Sequence, residues 1–176
     1  MAKKFDGIKL KRREAKCTNL NYQPERAGDD LVPRVDLSLE FLLEPDEIDG
    51  LVQARGNVLQ ALWDKDGDPM FLHLHDFELD LVAEGQLLIS HTASNEALDF
   101  DAAKLKKIHV TPHLDRRALI SCQIRIDPGT HLDELGDIRL HERCSIEYQG
   151  KPIKQKTKSG DDPDDNKGGE QKRLGV

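Results

Sequence analysis

Two histidines stand two residues apart in His73-Leu74-His75-Asp76. On a strand, that spacing puts both imidazoles on one face, where they could share one metal ion. A third ligand would have to come from His91, His109, His113, His131 or His141. The chain carries 7 histidines, so chance matches are easy, and it has neither an HExxH motif nor a cysteine beside the pair. The spacing favours two surface histidines on a strand, and no metal is assigned. A metal-dependent hydrolase ranks third among the functional readings.

Asp64-x-Asp66-x-Asp68 resembles the start of a calcium loop, because carboxylates at alternate positions can surround a hard cation. It departs from that pattern at two demanding places. Gly67 stands at loop position 4 instead of 6, and position 12 is His75 where a bidentate glutamate is required. A turn explains Asp-Lys-Asp-Gly-Asp-Pro more simply. Nucleophilic catalysis has little to stand on: there is no GxSxG, and Cys122 and Cys144 share phase with apolar neighbours. Lys16, Arg12 and Arg13 could lower the pKa of the Cys17 thiol, although a cysteine near basic residues is a common accident. No GxxxxGK[ST] or GxGxxG phosphate loop occurs. No catalytic residue and no cofactor is assigned, and the chain is expected not to be an enzyme.

Charge is distributed unevenly along the 176 residues. Residues 1–24 hold 7 basic and 2 acidic side chains, residues 25–101 hold 4 and 19, and residues 102–176 hold 15 and 12. Asymmetry of this kind bears on partners and encounter rates. The leading expectation is a non-enzymatic binding module that engages a basic protein partner through an acidic face. Asp64, Asp66, Asp68, Asp76, Glu78 and Asp80 are the contacts, since they bracket one turn and one strand. The alternative is a single-stranded nucleic-acid binder using Lys104, Lys107, Arg116, Arg117 and Arg125 on a basic hairpin, helped by flexible basic segments. Against it, aromatic residues make up only 5%, few for base stacking, and the acidic middle segment would repel a phosphate backbone.

These side chains must be positioned mostly by strands. Val35, Leu37, Leu39, Phe41 and Leu43 alternate with Asp36, Ser38 and Glu40, a period of two. The same rhythm marks Ala118–Ile126, Arg143–Gln149 and Gln86–His91, with shorter stretches at Leu98–Phe100 and Lys104–Val110. Met70–Val82 looks extended, with a bulge near His75 or Asp76 needed to reconcile its two phases. Short helices are expected at Val58–Trp63 and at Leu132–Leu135, the second capped by Thr130. The fold class is mainly β: an antiparallel β-sandwich or partly open barrel with one or two short helices. Residues 1–16 form a basic N-terminal arm or edge strand, 17–150 a β-rich globular domain, and 151–176 a disordered charged tail.

Three cysteines without a CxxC read as free thiols in a reducing cytoplasm. No apolar run is long enough to span a membrane and the basic N-terminus lacks the apolar core of a secretory signal, so no membrane association is expected. An exposed apolar sheet face leaves room for a homodimer. The Val35–Glu44 pattern, the Trp63–Asp68 turn and the Lys104–Ile126 hairpin together resemble small uncharacterised accessory proteins carried by bacteriophages and prophages. The likeness covers residues 5–148. It implies a bacterial host cytoplasm and a role in phage replication, recombination or counter-defence, and it carries over no functional residue.

Overall fold

Alternating side chains need two different environments, and a closed barrel supplies them as inside and outside. A computed structural model describes residues 7–45, 47–48, 62–70, 76–91 and 96–153. Its strands are β1 (Ile8–Tyr22), β2 (Glu25–Ala27), β3 (Asp30–Val32), β4 (Val35–Leu43), β5 (Phe77–Leu79), β6 (Ala83–His91), β7 (Leu98–Pro112), β8 (Ala118–Ile126) and β9 (Arg143–Pro152). A ten-residue helix, α1 (Leu132–His141), lies between β8 and β9. Six strands in the order β1-β4-β8-β7-β6-β9, all antiparallel, close into a barrel through the β9–β1 ladder. Of the two expected architectures the barrel is the one found, and it is closed, because β7 pairs with β8 as well as with β6.

Closure depends on two 15-residue strands that bend. β1 pairs with β9 along Ile8–Lys16 and with β4 along Lys16–Tyr22, with register shifts between Leu10 and Arg13 and between Cys17 and Asn19. β7 pairs with β6 through Leu98–Leu105 and with β8 through Lys104–Pro112. Its extra residues sit at Ala102 and Lys107, both in the left-handed region, with φ of 55° and 49°. Such bulges add bend and twist that a straight strand lacks. The stretches 98–100 and 104–110, expected as separate strands, are thus one bent strand. Ile8–Lys16, expected as an arm or edge strand, is the first half of β1. β9 runs on to Pro152, and residues 154–176 lie outside the described residues.

The core fills the barrel with the in-phase residues: Val35, Leu37, Leu39, Phe41 and Leu43 from β4, and Ala118, Ile120, Cys122, Ile124 and Ile126 from β8. Tyr148 is fully buried, and its hydroxyl donates to the Ala103 carbonyl at 3.3 Å. Burial pushes its phenol above the ordinary range. Gly150 makes room for that ring: a Cβ there would collide with the Tyr148 hydroxyl. Cys17 is also buried, which corrects the expectation of a lowered thiol pKa. Burial raises it, outweighing the Arg139 charge and the Asn19 carbonyl contact. Cys122, wholly enclosed, is pushed up to about 12.

Helix α1 is longer than expected and starts from His131 as its N-cap instead of Thr130. It ends at Glu142, which takes a left-handed conformation. Leu135 and Ile138 are buried where α1 meets β1, β6 and β9. Most of the helix expected at Val58–Trp63 lies outside the described residues, but Trp63 itself forms a β-bridge with Pro69. Residues from Pro45 begin a helical turn, with the Ile48 N–H donating to the Glu44 carbonyl.

Candidate functional site

The turn Asp64–Asp68 shows how local chemistry determines local structure. Asp64 Oδ1 accepts the backbone N–H groups of Asp66 and Asp68 at 2.9 and 3.0 Å, and Gly67 takes a φ of 92°. One carboxylate oxygen is thereby occupied by the turn itself. Trp63 Nε1 donates to the His113 carbonyl at 2.7 Å. Arg116 donates to the Asp64 and Lys65 carbonyls at 3.3 and 3.1 Å. The acidic turn is therefore seated on Leu114–Arg116, the 3-10 turn that follows β7.

Asp76, Glu78 and Asp80 come in on β5 and its flanks. Phe77 and Leu79 are half-buried against the core, so the alternate residues Asp76, Glu78 and Asp80 point outward and are exposed. Register places Glu78 opposite His109 on β7, and Asp76 Oδ2 lies 2.8 Å from His109 Nδ1. The six acidic residues are thus gathered around the end of β7, on a turn and a short strand. His73 and His75 lie outside the described residues.

The basic residues are dispersed by their partners. Arg116 sits on the acidic turn, and Arg117 pairs with Asp115 at 3.3 Å. Arg125 forks onto Asp36, Nε to Oδ1 at 2.9 Å and a terminal nitrogen to Oδ2 at 3.0 Å. Lys106 reaches the same carboxylate at 3.1 Å. Lys104 is half-buried opposite Arg125, and Lys107 is exposed at its bulge.

Asp36 is the charged residue that the sequence reading passed over. It occupies the outer phase of β4, as alternation requires, yet it is only 4% exposed. Burial alone would raise its pKa, but hydrogen bonds and charge from Arg125 and Lys106 outweigh that and hold the carboxyl below its usual range. Nothing local in the sequence announces this, because Asp36 and Arg125 are 89 positions apart.

A cavity of about 700 Å³ opens where β6 ends and β7 begins. Ser90 and His91 border it from β6, and Glu96 and Leu98 from the entry to β7. Helix α1 and its N-cap supply His131, Glu134, Ile138 and His141, spaced by three and four residues so that they share one side of the helix. Asp137 joins them at the rim. The His91 and His141 rings meet edge to face with centroids 4.5 Å apart, and His131 stands edge-on to Phe100 at 6.1 Å. His131 Nδ1 lies 3.4 Å from Glu134. The hydrogen bond from its own backbone N–H, and then the one from His131, keep the Glu134 carboxyl below the ordinary range.

The sequence reading named His91, His131 and His141 only as alternative third partners for His73 and His75. The three- and four-residue spacing of His131, Glu134, Ile138 and His141 is the signal that would have grouped the last two histidines, had the helix been extended past Leu135. Among the described residues, no three histidine, cysteine or acidic side chains are placed to hold a metal ion, and no helix is long and apolar enough to cross a membrane. No family model, curated protein or solved structure matches this chain.

Proposed function

We propose that this chain is a non-enzymatic binding module that engages a basic protein partner through the acidic residues gathered at the end of β7. One observation carries the reading: β5 anchors Phe77 and Leu79 to the barrel and so presents Asp76, Glu78 and Asp80 along one outward phase, beside the acidic turn. A rigid array of like charge, on a chain with a net charge of -7, steers encounter with an oppositely charged surface. Asp64 and Asp76 hold local structure through Asp66, Asp68 and His109, so Asp66, Asp68 and Glu78 are the residues to reverse. Affinity purification from a bacterial host after nuclease treatment is expected to retain a basic protein on the wild type. It should be lost from the variant Asp66→Lys, Asp68→Lys, Glu78→Lys. Undiminished retention by that variant overturns the proposal.

The single-strand nucleic-acid reading has less support, because Arg116, Arg117 and Arg125 already have acidic or carbonyl partners. It rests on Lys104 and Lys107. Retention of an oligonucleotide at low salt that disappears in Lys107→Glu favours it over the protein partner. Three buried free thiols fit a reducing compartment, the bacterial cytoplasm that the phage resemblance implies.

A further inference from the structure

We infer that the lysine-rich segment 154–158 of this chain docks along the outer side of β5 and covers its acidic residues, so that a basic partner gains that face by displacing it. The displacement rests on the partner proposal; the docking does not.

β5 stands at the end of the sheet order, and among the described residues it pairs with β7 and with no other strand. Its other side is a sheet edge of three residues, with Phe77 and Leu79 half-buried beside it. An edge of this kind is a template for an added extended segment. Register shows which part of the chain is delivered there. β5 and β6 lie end to end along one side of β7, with Leu79 opposite Ile108 and Ala83 opposite Leu105. β9 lies along the far side of β6, with Pro152 opposite Ala83. One more bond follows, from the Ile153 N–H to the Val82 carbonyl at 2.9 Å. Because β6 and β9 are antiparallel, β9 is aimed in the direction in which the chain is traced back from Val82 to β5.

Charge matches that direction. Residues 154–158 are Lys-Gln-Lys-Thr-Lys, three cations at alternate positions with no acidic residue among them. Traced back from Val82, Asp80, Glu78 and Asp76 also come at alternate positions. The lysines begin one residue past Ile153, and so short a tether holds them near that face at an effective concentration on the order of millimolar. Individually weak pairs then suffice. The aspartates at 161, 162, 164 and 165 are repelled by the same face, which leaves the lysines as the part that docks.

Hydrogen exchange on the full chain, read by mass spectrometry, tests the docking. In the variant Lys154→Gln, Lys156→Gln, Lys158→Gln, the amides of residues 77–80 are expected to exchange about tenfold faster than in the wild type. The control Lys167→Gln, Lys172→Gln, Arg173→Gln removes the same charge farther along the chain and should exchange as the wild type does. Thermal melts that match the wild type exclude global unfolding as the source of faster exchange. Fluorescein-labelled octalysine, followed by anisotropy, tests the displacement: the first variant should bind it about fivefold tighter than the control does. Adding Glu78→Lys to the first variant should remove that gain. The docking is overturned if the first variant exchanges at residues 77–80 no faster than the control. The displacement is overturned if the two variants bind octalysine equally. Exchange needs no partner, so failure of the docking and failure of the partner proposal, which the reversal at Asp66, Asp68 and Glu78 tests, are distinguishable.

Discussion

The face formed by β4, β8 and β7 and the cleft between β6 and α1 handle charge in opposite ways. On the first, groups far apart in the chain are brought into direct contact: the Asp36 carboxylate with Arg125 and Lys106, and the Arg116 guanidinium with backbone carbonyls of the acidic turn. In the second, Glu134, Asp137 and Glu96 border a cavity whose described lining has three histidines and no lysine or arginine. Matched pairs contribute to holding the barrel together. A block of like charge in sequence therefore does not specify a face. The partner that the topology delivers decides whether a charge is structural.

This contrast can be broken in order of expected effect. Leu135→Ala, at a fully buried position beneath α1, should lower stability by about 3–4 kcal/mol in urea titration. Asp36→Ala should cost about 3 kcal/mol, because Arg125 and Lys106 are left partly buried without their counter-charge. A loss below about 0.5 kcal/mol would erase the distinction between the two regions.

The same carboxylate makes a pH prediction. Its folded pKa lies below the ordinary value of about 3.9, so its stabilisation is complete above that value and is lost as pH falls through the folded one. Glu47 behaves alike: burial raises its pKa, but hydrogen bonding and charge from Arg13 prevail. Stability of the wild type should fall more steeply with acidification below about pH 4 than that of Asp36→Asn.

Arg116→Ala should remove about 1 kcal/mol, since it deletes two hydrogen bonds to the Asp64 turn but leaves its backbone bond to Gly67. Asp137→Asn, at an exposed position, should change stability by no more than about 0.5 kcal/mol in the same titration. The gap between Asp137→Asn and Asp36→Ala is the sharpest form of the comparison.

The strands were the most legible part of the chain. Val35–Leu43 and Ala118–Ile126 follow the period-two reading residue by residue, because alternation is a property of the backbone and needs no distant partner. The turn at Asp64–Asp68 was legible for the same reason, with Asp64 closing it through its own side chain. Helix α1 was cut short because Gly136 and Asp137 are poor helix formers, while Leu135 and Ile138 gain burial against the barrel that propensity does not register. The cavity was illegible, since His91 meets His141 only after β7, β8 and their connections have folded between them.

The sequence alone thus determined which side chains face inward along each strand, where the turns fall, and that the core is built from aliphatic residues, all set by steric and hydrogen-bonding rules acting over a few residues. Only the tertiary structure decided that the sheet closes, that Asp36 is neutralised by two cations, and that three histidines and three carboxylates surround one space. Those outcomes depend on contacts between residues tens of positions apart, and it is barrel closure that brings them within ångströms of each other.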